Sequence, residues 1–352
     1  MVLLPRKDKN MIKYSFRNDY SDVGNPIILE ELIKHCGIQY TGYGSDTITC
    51  QLLELVREKT KQNVDIYLFS GGTQTNLTYI SKVLTNYEAV ISHKDGHINT
   101  HETGAVEGAG KKIIPVEGKN GKVYPEDVEK VMSLHTENYM VNPKLVYISN
   151  STESGTIYSL KELKELYEIC QKYNLLLFLD GARLPVALTS EENDLTLELV
   201  AKYTDAFYLG GTKNGMPYGE MLIIKDDESK KYFSYHLKNK GAMLSKTFVL
   251  SILFKKFLEN DLYLQLAQNA NDTAKILREE LIANNYEIVY QNPTNQIFVK
   301  IEYYMLNILK DMYNFEVWEK YENYVIIRLV TSWYTTKEAC LELVKDMNFN
   351  RK

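Results

Sequence analysis

Between residues 64 and 225 one pattern recurs: a short run that is apolar throughout, then a longer stretch with apolar residues every three or four positions. The runs are VDIYLF, AVISH, KKIIPVE, KLVYISN, LLLFLD, DAFYLG and GEMLIIK. Alternation would mark strands with one wet face, whereas continuous apolarity marks strands covered on both faces, as in a largely parallel sheet. One intervening stretch, SLKELKELYEICQKYN, puts Leu160, Leu163, Leu166, Tyr167 and Cys170 on one helical stripe with charges opposite, and Ser159 is placed to cap it. With KLVYISN before it and LLLFLD after it, this predicts a right-handed βαβ unit.

After about residue 245 the pattern changes to a long helical region and then to the runs QIFVKIE and VIIRLVTSW. The predicted architecture is α/β: an N-terminal arm over 1–27, a large domain with a mostly parallel sheet over 28–245, and a smaller C-terminal α+β domain over 246–352. No repeat or flexible linker separates the two domains, so they share a close interface.

Charge narrows the function. With 46 acidic and 41 basic residues the net charge is -5, which argues against a general nucleic-acid binder and for a soluble protein acting on a small molecule. Cys36, Cys50, Cys170 and Cys340 stand far apart with no histidine cluster, so no metal site is expected. The opening MVLLPRKDKNMIKY does not pattern as a secretory leader, and no run approaches the roughly 18 apolar residues of a membrane span. A cytoplasmic protein without membrane contact is expected.

In an open parallel sheet, ligands bind beyond the carboxyl ends of the strands. After VDIYLF comes SGGTQTN, with Gly71, Gly72 and then Thr73 ahead of a helix-like stretch from Asn76, the makeup of a phosphate cradle. After LLLFL comes Asp180, a carboxylate that needs a partner in so apolar a setting; Arg183, three residues on, is one candidate. After DAFYLG comes GTKNG, where Thr212 precedes Lys213. A lysine in a glycine turn is by itself a solvated loop residue. Cradle, carboxylate and lysine at three neighbouring strand ends are together what pyridoxal phosphate requires: an amine for its aldehyde, an acid for its pyridine nitrogen and amides for its phosphate.

The segments FRNDYSD, GYGSD, GGTQTN, HINTHETGA, DGARL, GGTKNG and RLVTSW complete a resemblance, over residues 14 to 345, to the low-specificity L-threonine aldolases of the β-eliminating lyase superfamily. Those are pyridoxal 5'-phosphate enzymes of the aspartate-aminotransferase fold, fold type I. The resemblance implies that Lys213 binds the cofactor, Gly72, Thr73 and Thr212 lie at its phosphate end, Asp180 pairs with its ring nitrogen and His97 stacks on it. It implies that Arg183 and Arg328 clamp the substrate carboxylate, with Arg183 also near the cofactor, and that Asn18 takes the place of a serine beside that carboxylate. Arg328 has an alternative, an ion pair with Glu316 or Glu319.

The resemblance further implies a homodimer or homotetramer with shared sites, in which Tyr43 approaches a neighbour's cofactor and Lys240 or Lys246 its phosphate. One departure bears on the chemistry. Where relatives carry a second histidine for the substrate hydroxyl, this chain has Tyr139, with His135 four residues away and His101 a further possibility. The expected reaction is retro-aldol cleavage of L-threonine or L-allo-threonine to glycine and acetaldehyde. The alternatives are β-elimination or racemisation on the same cofactor, or a non-catalytic binding module.

Overall fold

The computed structural model describes residues 12–351; the beginning of the expected arm, residues 1–11, lies outside the described residues. Seven strands, β1 (Asp65–Phe69), β2 (Glu88–His93), β3 (Lys112–Val116), β4 (Asn142–Ser149), β5 (Leu176–Asp180), β6 (Ala206–Gly210) and β7 (Glu220–Ile224), form the main sheet in the order β1-β7-β6-β5-β4-β2-β3. Each falls on one of the apolar runs. Six strands run in one direction; β7 runs against both its neighbours, β1 and β6.

Every residue of β6 and β7 is buried, as strands covered on both faces must be. Successive side chains feed two cores: Val146, Ile148, Leu177 and Leu179 enter one face, and Leu145, Tyr147 and Phe178 the other. The helix Leu160–Lys172 begins with a reciprocal cap, in which Ser159 Oγ accepts from the Glu162 amide and the Glu162 carboxylate accepts from the Ser159 amide. It buries Leu163, Leu166, Ile169 and Cys170.

The long helical region is two helices, Thr247–Leu258 and Leu262–Ala283, parted at Asn260 and Asp261, whose φ values are 52° and 54°. Leu250, Leu253, Phe254 and Phe257 of the first pack into the core of the main sheet, while Ala274, Leu277 and Leu281 of the second pack into the C-terminal core. The change of core therefore falls within the second helix. Strands β8 (Gln296–Glu302), β9 (Glu316–Lys320) and β10 (Tyr324–Val330) form an antiparallel sheet in the order β9-β10-β8. The N-terminal segment ties the two bodies together: Tyr14–Ser15 pairs with Tyr313–Asn314, the Val330 amide donates to Phe16 O at 2.8 Å, and the Asn25 amide donates to Gly215 O at 2.7 Å.

Among the described residues no helix is long and apolar enough to cross a membrane, and no cluster of three or more acidic, histidine or cysteine side chains is placed to hold a metal ion.

Candidate active site

Because β7 is reversed, its first residue lies at the same edge as the last residues of its neighbours: Glu220 pairs with Phe69 of β1 and with Gly210 of β6. That edge carries a pocket of about 360 Å³ lined by Gly72, Thr73, His97, Asp180, Arg183 and Lys213, with Thr212 and Glu220 beside them. Residues widely separated in the chain, each read from its own strand end, thus face one space.

The turn bearing Lys213 is fixed by Asn214, whose amide donates to Gly210 O at 2.8 Å and to Ala182 O at 3.0 Å. A Cβ on Gly210 would lie 2.4 Å from Ala182 O, so only glycine permits this approach. Lys213 Nζ lies 5.9 Å from the ring centroid of Tyr20. Burial first, then the Arg183 guanidinium, hold its pKa below the ordinary lysine value against the opposing charges of Asp19, Glu153 and Asp180. A larger share of the amine is therefore neutral and nucleophilic.

Asp180 ends β5, and its carboxylate accepts four hydrogen bonds. Tyr208 Oη at 2.5 Å and the Ala182 amide at 3.1 Å donate to Oδ1; Tyr147 Oη at 2.5 Å and Asn76 Nδ2 at 3.0 Å donate to Oδ2. Burial pushes its pKa up, but His97 and these donors outweigh it, and Asp180 stays ionised with a pKa below the usual aspartate value. Asn76 Nδ2 also donates to Glu102 at 2.7 Å, and Glu102 lies 2.8 Å from His97 Nδ1. Burial lowers the His97 pKa, yet Glu102, Glu153 and Asp180 raise it more, so it lies above the ordinary histidine value.

The helix Gly72–Val83 starts at the pocket without a side-chain cap, leaving first-turn amides with no intrahelical acceptor. A Cβ on Gly72 would come within 3.0 Å of the Tyr208 hydroxyl. Glu220, on the other side of Lys213, is buried; burial pushes its pKa up to about 8, and the Gly211 amide donates to it at 3.2 Å.

The arginines differ. Arg183 is buried and held at two points by Asp19, with Nε to Oδ2 at 2.7 Å and Nη2 to Oδ1 at 3.0 Å, and Asn295 Nδ2 donates to the same carboxylate at 3.1 Å. Its Nη1 is left over. Arg328 is not among the pocket-lining residues: it pairs with Glu316, donates to Gln296 Oε1 at 3.1 Å and lies 4.9 Å from the Trp318 ring centroid. Its Nε is buried with no acceptor among the described residues.

Asn18 also stays outside the lining. Its Oδ1 accepts from the Tyr20 amide at 3.0 Å and from Ser21 Oγ at 2.8 Å, which makes the turn that presents Tyr20 to Lys213. Tyr43 is 54% exposed and lies under Lys238, whose Nζ is 4.8 Å from its ring; Lys240 and Lys246 are exposed. Tyr139 is 82% exposed, and His135 Nδ1 is 2.9 Å from Val141 O, so neither reaches this pocket. Asp19, Tyr20, Asn76, Tyr147, Tyr208 and Glu220 were not evident from the sequence as site residues. The legible signal was tyrosine hydroxyls inside apolar strands, which require buried partners.

Pyridoxal phosphate fits these groups: a buried amine of lowered pKa for the aldehyde, a carboxylate that stays ionised for the ring nitrogen, and a glycine-led helix start with free amides for the phosphate.

The model of the Beta-eliminating lyase family matches residues 36–303. The low specificity L-threonine aldolase of Pseudomonas sp. (strain NCIMB 10558) is 27% identical over 317 residues, covering 87% of this chain and 88% of that one. The solved threonine aldolase of Leishmania major is 38% identical, covers 96% of this chain and 99% of that one, and superimposes with a TM-score of 0.94. An aspartate aminotransferase of Thermus thermophilus, 13% identical with 97% of this chain and 92% of that one covered, shares the fold at a TM-score of 0.72. The fold is therefore that of fold type I, and the chain belongs to the beta-eliminating lyase family.

Proposed function

We propose that this protein is a pyridoxal-phosphate-dependent lyase that cleaves L-threonine or L-allo-threonine to glycine and acetaldehyde. The observation that carries the reading is the convergence of Lys213, Asp180 and the uncapped start of the Gly72–Val83 helix on one pocket, in a chain of this family. The bound cofactor supplies an aldehyde to capture the amino acid's nitrogen and a ring that takes up the electrons of a bond broken at Cα.

The protein's part is to hold and orient. Lys213, with its lowered pKa, offers the amine that anchors the aldehyde and gives way to substrate. Asp180, fixed by four donors, keeps a negative charge opposite the ring nitrogen. The first-turn amides of Gly72 and Thr73, with Thr212, take the phosphate. His97, oriented by Glu102, covers the ring. Arg183, which lines the pocket, receives the substrate carboxylate and sets the Cα–Cβ bond for cleavage, with Arg328, outside the lining and paired with Glu316, as the second clamp.

Tyr43, Lys240 and Lys246, exposed and outside the chain's own pocket, support a shared site in which a second copy completes the phosphate end, in a homodimer or homotetramer. The reading includes a cytoplasmic location. The test is an assay of purified, cofactor-loaded protein for acetaldehyde from L-threonine and for pyruvate from L-serine. Acetaldehyde alone is expected; pyruvate alone would transfer the assignment to β-elimination.

A further inference from the structure

Retro-aldol cleavage needs an acceptor for the substrate's β-hydroxyl proton, and the proposed function leaves that acceptor unnamed. The groups around the pocket can be taken in turn. His97 is tied to Glu102 through Nδ1, and in the proposed reading its ring is committed to covering the cofactor. Asp180 is committed to four donors and, in the proposed reading, to the ring nitrogen, and Asp19 is locked between Arg183 and Asn295. Glu220, with a pKa pushed up to about 8, holds its own proton at neutral pH. His101 also lines the pocket, stacked on His97 with ring centroids 5.5 Å apart, but its ring is exposed and its Nδ1 is engaged 2.6 Å from Thr100 Oγ1.

Glu153 remains. It lines the Lys213 pocket and also a larger cavity of about 780 Å³ that opens beside it between β4 and the C-terminal sheet, bounded by His93, Tyr147, Tyr290 and Trp318. The turn that carries it is fixed from both sides. The Thr156 amide donates to Thr152 Oγ1 at 3.1 Å, Gln296 Nε2 donates to Thr152 O at 3.2 Å, and Thr294 Oγ1 donates to Gly155 O at 2.7 Å. Gly155, at φ +80°, would clash with Asn292 at 2.7 Å if it carried a Cβ. The backbone is held, yet the Glu153 carboxylate has no hydrogen-bond or ion-pair partner among the described residues. Its charge acts on Lys213, His97 and Arg183, the groups that surround the substrate in the proposed reading.

We infer that Glu153 is the catalytic base that takes the β-hydroxyl proton, a role that Tyr139, outside the pocket, does not fill. The step balances. The O–H electron pair becomes the second bond of the aldehyde C=O, the Cα–Cβ pair stays with the glycine fragment, and a proton then adds at Cα, so one proton is taken and one returned with nothing oxidised or reduced. The larger cavity lies where the aldehyde departs. The inference rests on the threonine-cleaving reading of the site.

The test compares the cofactor-loaded parent with Glu153→Gln in two measurements: acetaldehyde release from L-threonine, and the change in cofactor absorbance on titration with glycine, which has no hydroxyl. Acetaldehyde release is expected to fall by about 100-fold or more, the scale of a lost general base. The glycine midpoint is expected to stay within about 3-fold of the parent. Cleavage by Glu153→Gln within about 5-fold of the parent would overturn the assignment alone. Equal loss of glycine binding would overturn it in favour of a structural role. A parent protein that releases no acetaldehyde overturns the reading of the whole site.

Discussion

The buried carboxylates of Glu102 and Asp180 share one amide: Asn76 Nδ2 donates to the first at 2.7 Å and to the second at 3.0 Å. Two acids so close to a common neighbour stay compatible because that neighbour is a donor. Asn76→Asp changes little in shape and inserts a third acid. It is expected to lower stability at pH 7 by about 3–5 kcal/mol, as for a buried charge without a counter-ion. The deficit should shrink as the pH falls and one acid takes a proton; thermal melts between pH 5 and 8 measure it.

Among the described residues, Lys213 is the only lysine lining the pocket, and Lys213→Ala removes its amine. Acetaldehyde release is expected to vanish, and with it the visible absorbance that a covalently held cofactor gives the parent. The fold should remain, since Lys213 makes no hydrogen bond or ion pair among the described residues. Absorbance spectra and far-ultraviolet circular dichroism of the two proteins check both halves.

The two arginines should fail differently. Arg183→Met leaves Asp19 buried without its bidentate partner and is expected to cost about 3–5 kcal/mol of stability. Arg328→Lys keeps a charge near Glu316 but loses the planar fork. It is expected to raise KM for L-threonine at least about 10-fold with cofactor absorbance unchanged. If KM stays within a few-fold while the melting temperature drops, Arg328 serves the Glu316 ion pair and Arg183 alone holds the carboxylate.

Glu220 predicts a pH dependence. Its folded pKa of about 8 lies above the ordinary glutamate value of 4.5. Between those values the unfolded chain ionises while the folded chain keeps its proton, so the folded state binds more protons and stability falls as pH rises. Cofactor-free parent should lose on the order of 4 kcal/mol from this group between about pH 4.5 and 8. Glu220→Gln should lack that decline; denaturant unfolding at several pH values gives the comparison.

Much of the fold was legible because strands covered on both faces must be apolar throughout, and several of the main strands, β5, β6 and β7 among them, advertised themselves so, whereas β3 is partly exposed. The short strand Glu316–Lys320 did not, since its residues are only half-buried and its sequence, EVWEK, carries three charges. At the site, Lys213, Asp180, Gly72 and Thr73 follow strand ends, and a strand end is a sequence feature. Tyr147 and Tyr208 were missed because their meaning depends on register: they sit on β4 and β6, on either side of the strand that Asp180 ends. Which hydroxyl meets which carboxylate is decided by sheet order, and the chain alone does not spell that order out. Asn18 was placed by analogy at a ligand, whereas its side chain shapes the Tyr20 turn.

The N-terminal segment has a consequence beyond tethering. Asp19 is the counter-charge of Arg183 and also raises the pKa of Lys213, which Arg183 lowers. Trimming or proteolysis that removed residues up to Tyr20 would leave Arg183 without its ion-pair partner beside Lys213 and drive that lysine further toward its neutral form. An injury at the start of the chain would therefore register as a changed proton affinity at a nucleophile in the heart of another domain, with every residue of that domain intact.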